Sequence, residues 1–378
     1  MPQHKKGHQA VVAMSGGVDS SVAALLLKNA GLNPIGITMR LYDLDENPDM
    51  PKNYQGCCTV DDAEDARRVC EILDIPHYVM DLRKEFQTYV INYFLSEYQL
   101  GNTPHPCIAC NDKIKFSFLL ERARFLKARY VGTGHYARIE SNGRGLFSLL
   151  KGLDEDKDQS YVLYNMGQNE LSQVLMPGGA YSKTTIRQLA HEAGFPNASK
   201  PASQEICFIP LGDYRAFLKE KVQPKPGLLT DSSGTILGQH KGIEFYTIGQ
   251  RRGLGINSTV PLFVTGINPE SGIITLGPDN ELFHSELFAD KISWILGNPP
   301  DSGTEVMVKI RYNSTETPGR LFPTANNTTR VELREKQRAI TPGQAVVFYM
   351  GDEVIGGGRI TRPPETTPSI KSHTVFHA

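Results

Sequence analysis

Cysteine, tryptophan and net charge are all scarce in this chain of 378 residues, which carries six cysteines, one tryptophan and a formal charge of −1. The near balance of 40 basic and 41 acidic side chains excludes a polycationic surface of the kind that binds nucleic acid without selectivity. A local imbalance remains. Residues 183–252 carry ten Lys or Arg against six Asp or Glu, and the stretch from Asp43 to Asp65 is rich in acid. The clearest apolar run, Val22 to Leu27, is far below the ~20 residues that span a bilayer. Met1 to Ala10 has charge but no apolar stretch of signal-peptide length, so the expectation is a cytoplasmic protein with no membrane association. In that compartment the cysteines read as thiols, catalytic groups or metal ligands, not as a disulfide framework. Internal repeats are lacking as well.

The length exceeds the roughly 250–300 residues at which single cores stop growing, so two or three domains are expected. The first third alternates strand and helix patterns. Ala10 to Met14 is a short apolar run suited to a strand buried on both faces. An amphipathic helix follows from Ser20 to Ala30, stopped by Gly31. Strands over Pro34–Met39, His77–Asp81 and 130–134 and helices over 61–73, 83–99 and 112–127 complete a parallel, doubly wound pattern. Cys70 lies in the apolar rhythm Ala63, Ala66, Val69, Cys70, Leu73 and reads as core. Near residue 215 helical periodicity gives way to short β-like runs, such as 243–248 and 273–276, separated by turn clusters. Runs at 306–312, 330–334, 344–350 and 354–360 suggest a compact β-barrel. The tail from Pro363 is rich in Pro, Thr and Ser and reads as loose.

Between the first strand and the first helix stands Ser15-Gly16-Gly17-Val18-Asp19-Ser20-Ser21. Glycines let backbone N–H groups approach an anion closely, and a helix start adds unpaired N–H groups and positive dipole. It is neither the GxxxxGK[ST] loop nor the GxGxxG fingerprint. Its spacing resembles the SGGxDS loop of the ATP pyrophosphatase superfamily, whose members cleave ATP between the α and β phosphates and adenylate a carbonyl oxygen. Asp19 would act through Mg2+. That loop alone leaves the substrate open, since amide ligases and tRNA lysidine synthetases share it. A scaffold that binds nucleotide without turning it over is a further alternative.

The remaining cysteines narrow the choice. Gly101-Asn-Thr-Pro-His-Pro-Cys-Ile-Ala-Cys110 sets Cys107 and Cys110 in a proline-stiffened segment between two predicted helices, and Ala202-Ser-Gln-Glu-Ile-Cys207 carries another. With the loop, these segments resemble the bacterial tRNA-specific 2-thiouridylase family. Gly56-Cys-Cys-Thr59, Gly132-Thr-Gly-His-Tyr-Ala-Arg138, Lys157-Asp-Gln-Ser-Tyr161, Gly249-Gln-Arg-Arg-Gly-Leu254 and Lys309-Ile-Arg-Tyr312 match family segments in order, along nearly the whole chain.

The resemblance implies a catalytic ATP pyrophosphatase domain over 1–215, a central β-rich domain over 216–288, a tRNA-binding β-barrel over 289–365 and a tail over 366–378. It implies thiolation of C2 of the wobble uridine in tRNAs for Lys, Glu and Gln, with ATP and Mg2+ as cofactors. ATP would lie on Ala13, Met14, Ser15, Gly16, Gly17, Val18, Asp19 and Ser20, with Met39 and Gly134. Cys207 would carry sulfur as a persulfide, delivered by a cysteine desulfurase or a sulfur-relay protein. Cys110 would be its partner nucleophile, releasing the terminal sulfur by forming a disulfide bond with Cys207 or first reducing it to sulfide. His105, Pro106 and Cys107 would line the pocket for the target base. His135, Lys157, Asp158, Gln159, Arg311, Tyr312 and Gln344 would contact tRNA. The alternative to the persulfide is a [4Fe–4S] cluster held by Cys107, Cys110 and Cys207. Cys57 and Cys58, adjacent in sequence, read as structural.

Overall fold

The computed structural model describes residues 7–42, 60–143, 145–201, 206–209, 213–324 and 326–364. Cys57, Cys58 and the tail beyond Pro364 lie outside them, as does the segment 202–205 ahead of Cys207.

Strand β1 (Gln9–Ala13) runs into helix α1 (Val18–Asn29), which ends where the Leu32 N–H returns to the Leu27 carbonyl. Strand β2 (Asn33–Arg40), helix α2 (Val60–Ile72) and strand β3 (His77–Asp81) follow. A continuous helix α3 spans 83–99 and another, α4, spans 106–125, each with a stretch of wider π-type turns. Strand β4 (Tyr130–Gly132) is followed by the hairpin of β5 (Ala137–Ser141) and β6 (Phe147–Lys151). Helix α5 (Gln168–Gln173), strand β7 (Val174–Leu175) and helix α6 (Lys183–Glu192) close the first unit.

Its sheet is five-stranded, all parallel, in the order β3-β2-β1-β4-β7. Alternation along β1 divides the core. Ala10, Val12 and Met14 face α1, α2 and α6, while Val11 and Ala13 face α3 and α4. That two-sided burial is what a near-continuous apolar strand requires. Cys70 sits in the first of these layers, and burial pushes its thiol up to about 12.

Helix α7 (Tyr214–Lys221) leads to a four-stranded sheet built from β8 (Gly227–Asp231), β9 (Ile236–His240), β10 (Phe263–Asn268) and β11 (Ile273–Gly277), in the order β10-β11-β8-β9. The run at 243–248, expected as a strand, instead forms a single tight turn over Ile243–Phe245. All three of its residues are buried, so the outward-facing alternate positions that a half-buried strand needs are missing.

The last unit comprises β12 (Phe283–Trp294), β13 (Thr304–Lys309), β14 (Thr317–Thr324), β15 (Thr328–Arg338), β16 (Ala345–Met350) and β17 (Glu353–Thr361). These six strands close through the β12–β17 pairing around Leu287, Val306, Leu321, Val331, Val346 and Phe348. Strand β16 is two-faced. Val346 and Phe348 point into the barrel, while Ala345, Val347 and Tyr349 join the core of the first unit. The β5–β6 hairpin extends the same sheet, with Leu149 opposite Val354.

Charged groups complete the junction. Glu97 of α3, 5% exposed, accepts an ion pair from Arg359 of β17 at 2.8 Å. The same guanidinium binds Asp290 at 2.6 Å. Arg362 donates to Asn102 and to the Leu100 carbonyl.

The segment carrying Cys207 is anchored by its neighbour. The Phe208 ring meets Phe86, Phe94 and Phe217 with centroids 5.7, 5.3 and 5.4 Å away. Phe208→Ala should cost about 3–5 kcal/mol of unfolding free energy. Denaturant titration checks this, and a loss below about 1 kcal/mol would show that the cage does not hold the segment.

Candidate active site

Strand β1 lies at the point where chain order reverses, with β2 on one side and β4 on the other. In open α/β sheets the crevice beyond the strand ends at such a point receives ligands. The Ser15–Ser20 loop occupies it. Gly16 takes φ +70, and a Cβ there would sit 2.3 Å from the Asp62 carbonyl oxygen, so the loop is pressed on the start of α2. Ser20 Oγ donates to the Gly17 carbonyl at 2.9 Å and accepts from the Ser15 N–H at 3.2 Å. Ser21 Oγ donates to the Gly17 carbonyl at 3.1 Å.

Residues distant in sequence hold this loop. The buried Asn197 amide donates to the Gly16 carbonyl and to Ser21 Oγ, both at 2.9 Å. Lys200 bridges Asp62 and Asp65, each at 2.7 Å. Burial alone would lower the Lys200 pKa, but its bonds to the two carboxylates raise it. Asp19 accepts from Lys183 Nζ at 2.5 and 2.7 Å and from the Tyr136 hydroxyl at 2.6 Å. Burial and then the Asp19 charge raise the Tyr136 pKa, so the hydroxyl stays a donor.

The expected ATP residues converge here. Ala13 is the buried last residue of β1, Met14 is buried just after it, and Met39 is buried near the end of β2. Gly134 touches the loop directly, because a Cβ on it would lie 2.7 Å from Asp19 C and Ser20 N. A carboxylate on a loop expected to bind phosphate has the chemistry Mg2+ takes, one or two carboxylates with phosphate and water filling its shell. Lys183 is the cation beside that carboxylate in this structure.

The cysteine segment differs from expectation. It is not an extended connection: α4 begins at Pro106, with Cys107 and Cys110 on its first two turns. Proline at the first helical position explains the earlier start, since its fixed φ suits a helix and its missing N–H is needed least there. Cys107 rather than Cys110 therefore occupies the first turn. Cys107 is exposed, Cys110 is buried at 8% exposure, and Cys207 is half-buried; all three stand as thiols. Cys110 belongs to the apolar cluster on which Cys207 and Ile108 pack. Among the described residues no group of three or more His, Cys, Asp or Glu side chains is arranged to hold a metal ion.

Beside these thiols runs a row of aromatic rings. His105 lies 5.9 Å from the Tyr161 ring, and Tyr161 lies 6.0 Å from Tyr312 of the barrel. Cys107 is near enough to Tyr312 for its charge to contribute, after burial and Asp158, to raising the phenol pKa. Gln344 donates to the Thr103 carbonyl at 2.9 Å, and the Thr103 N–H donates to the Pro342 carbonyl at 2.8 Å, so the barrel grips the loop ahead of His105. His105 Nδ1 is buried with no hydrogen-bond partner among the described residues, and burial lowers the ring pKa to about 4. Pro106, the next residue, is buried.

The other expected tRNA contacts are spread more widely. Lys157 is exposed on a short turn. Asp158 and Gln159 follow it, the Asp158 carboxylate accepting from Gly152 N–H, Ser160 N–H and Ser160 Oγ. His135 Nδ1 shares a 2.9 Å contact with Thr133 Oγ1, and burial followed by the Lys115 charge holds its pKa well below the ordinary value. Arg311 turns its guanidinium to the Ala339 carbonyl and Thr341 Oγ1 of its own barrel. Lys183, Asn197 and Lys200 lie in no sequence motif, and Tyr136 lies in a matched segment that gives no hint of its contact with the loop. Only the fold brings them to the loop.

Two outcomes test this geometry. Gly134→Ala would push a methyl into the Asp19–Ser20 peptide, so ATP affinity should fall by about tenfold or more at a cost of about 1–3 kcal/mol in stability. Unchanged affinity by calorimetry would place the nucleotide elsewhere. Folding holds His105 neutral, whereas the unfolded chain takes up a proton near the usual value of about 6.5. Its contribution to stability is therefore fully present above that value and is lost as pH falls toward about 4. His105→Leu should flatten the fall in unfolding free energy between those limits, and equal slopes in both proteins would contradict this.

Comparison with known proteins agrees with this layout. A family model described as the tRNA methyl transferase HUP domain matches residues 8–211, one described as the tRNA methyl transferase PRC-barrel domain matches 215–278, and one described as the aminomethyltransferase beta-barrel domain matches 284–360. The tRNA-specific 2-thiouridylase MnmA of Halothermothrix orenii is 47% identical over 352 residues, covering 93% of this chain and 98% of the relative. That of Moorella thermoacetica is 46% identical over 353 residues, with 93% and 98% covered. That of Geotalea uraniireducens is 44% identical over 373 residues, with 98% and 99% covered.

Proposed function

Because the chain belongs to the tRNA-specific 2-thiouridylase family, we propose that it converts the wobble uridine of its tRNA substrates to 2-thiouridine at the expense of ATP. The observation that carries this reading is the packing of two thiols on one apolar cluster, Cys110 within it and Cys207 against it. An ATP ligase acting on an amine would have no use for such a pair.

ATP is the activating substrate. The loop N–H groups and the start of α1 bind its phosphates, and Lys183 lies where it can neutralise the leaving pyrophosphate. Mg2+ held through Asp19 would balance phosphate charge when bound. Attack of the uridine O2 on the α-phosphorus expels pyrophosphate and leaves an O2-adenylated base.

The target base must leave the anticodon stack to be reached. His105, Pro106 and Cys107 receive it, with the His105–Tyr161–Tyr312 row as the aromatic neighbour. His105, neutral near pH 7, has an unused buried nitrogen for a polar edge of the base. Lys157, His135 and Gln344 would contact the tRNA, and Tyr312 offers its ring for stacking.

Sulfur arrives as a Cys207 persulfide formed by a desulfurase or relay protein. Its terminal sulfur attacks C2 and AMP departs with the oxygen. Cys110 thiolate then attacks the Cys207 sulfur, which breaks the S–S bond to the base, forms a Cys110–Cys207 disulfide and leaves 2-thiouridine. A cellular dithiol returns both cysteines to thiols.

Asp19→Ala should fold yet form no AMP from labelled ATP with unmodified tRNA. Cys207→Ser should form adenylate but no 2-thiouridine, and Cys110→Ser should retain one added sulfur by intact mass after incubation with a desulfurase and cysteine. Normal thiolation by either cysteine variant would end the thiol-pair reading. Iron-dependent activity lost in the Cys107, Cys110 and Cys207 variants alike would replace the persulfide with a cluster.

A further inference from the structure

The residues expected to bind tRNA and the loop expected to bind ATP are joined by a short hydrogen-bonded chain. The Tyr312 hydroxyl donates to the Asp158 carbonyl at 3.1 Å. The N–H of that same peptide, on Gln159, donates to the Tyr136 carbonyl at 2.8 Å. Gln159 Oε1 in turn accepts from the Tyr136 N–H at 3.0 Å, so Gln159 clamps both polar groups of residue 136. The Tyr136 hydroxyl then ends the chain on Asp19 Oδ1 at 2.6 Å. One peptide unit and one tyrosine thus connect barrel to phosphate loop. Hydrogen bonds in series polarise one another, which favours transmission through a peptide used at both ends.

Slack is absent from this chain. Tyr136 is 4% exposed. A Cβ on Gly152 would meet the Tyr136 carbonyl oxygen at 2.8 Å, so the 152–159 turn lies directly on it. The Asp158 carboxylate is fixed by three donors from residues 152 and 160. At the far end Asp19 is shared between Tyr136 and Lys183, whose ammonium lies 5.8 Å from the Tyr136 ring centroid. A displacement of the turn must move either Tyr136 or the carboxylate it holds.

We propose that Tyr136 is a positioning residue that couples tRNA engagement at Asp158, Gln159 and Tyr312 to the alignment of Asp19 in the phosphate loop. This rests on the ATP and tRNA reading given above. tRNA seated on Tyr312 and the 157–159 turn sets the Tyr136 ring, and the ring sets which direction the Asp19 carboxylate faces. The device makes the loop competent for pyrophosphate release chiefly when the second substrate is present. Being an equilibrium coupling, it acts in both directions, so ATP must strengthen tRNA binding by the factor with which tRNA strengthens ATP binding.

The test uses the full chain, a non-hydrolysable ATP analogue and a transcript of a tRNA with a wobble uridine. Each ligand is titrated alone and with the other saturating. Wild type should show a coupling factor in the usual range of about 5–150-fold, equal in both directions. Tyr136→Phe should bring that factor to within about twofold of unity, whatever it does to either affinity alone. Tyr312→Phe, which keeps the ring, should also lower the factor, and it reports independently should the first variant fold poorly. The double variant should lose no more coupling than Tyr136→Phe. A wild-type factor near unity, or a Tyr136→Phe protein with the wild-type factor, overturns the proposal. Failure of wild type to form AMP from ATP and this tRNA would instead sink the underlying reading, and that assay is run separately.

Discussion

Glu97 cannot be buried alone. A carboxylate at 5% exposure has lost nearly all of its water, and leaving it unpaired would cost several kcal/mol. Its partner is Arg359, which comes from the barrel about 260 residues later and also holds Asp290. The barrel's share of the candidate site depends on that pairing. The loop before His105 is gripped by Gln344 and Pro342, and the row of aromatic rings is completed by Tyr312. None of these exists on the parallel-sheet unit by itself. Desolvation thus makes the barrel's seat specific, because a wrongly seated barrel leaves a buried charge without a counter-ion.

Two kinds of constraint meet at the phosphate loop. Backbone geometry is local: Gly16 and the helix start follow from consecutive residues. Electrostatics is not. Lys183 reaches Asp19 from the first residue of α6, where the Asp154 carboxylate also receives its backbone N–H at 2.7 Å. The loop's shape is therefore prepared by sequence neighbours and its charge by distant ones. In this division backbone donors stay in place while a flexible ammonium can move.

That division also explains what could be read beforehand. The β1–loop–α1 unit was legible because an apolar strand, two glycines and an amphipathic helix are contiguous. The barrel was legible because Val306, Val308, Val331, Val346 and Phe348 alternate with outward residues. The start of α4 is not legible in the sequence, because two prolines fit a stiffened loop as well as the helix that Pro106 opens. The turn at Ile243–Phe245 was missed because apolar spacing over three residues cannot tell a strand from a tight turn. The β5–β6 hairpin went unread since its partner strand lies far along the chain. Asn197 and Lys183 have no signature, and the segment holding Tyr136 does not reveal its contact, for these roles come from contacts across more than 100 residues.

The hairpin has a consequence for how the protein is made. Leu149 pairs with Val354, about 200 residues further on. At translation rates of roughly 5–20 residues per second, β6 waits about 10–40 s for that partner to leave the ribosome. During this interval the upstream sheet can close, but Tyr161, Leu149 and Glu97 have no cover. A nascent chain in that condition presents an open strand edge beside apolar rings, which is what holding chaperones recognise and what neighbouring chains on a polysome can capture. Among the described residues the barrel closes only once β17 pairs with β12, so a ribosome that stops before β17 leaves an open strand edge and not a closed barrel.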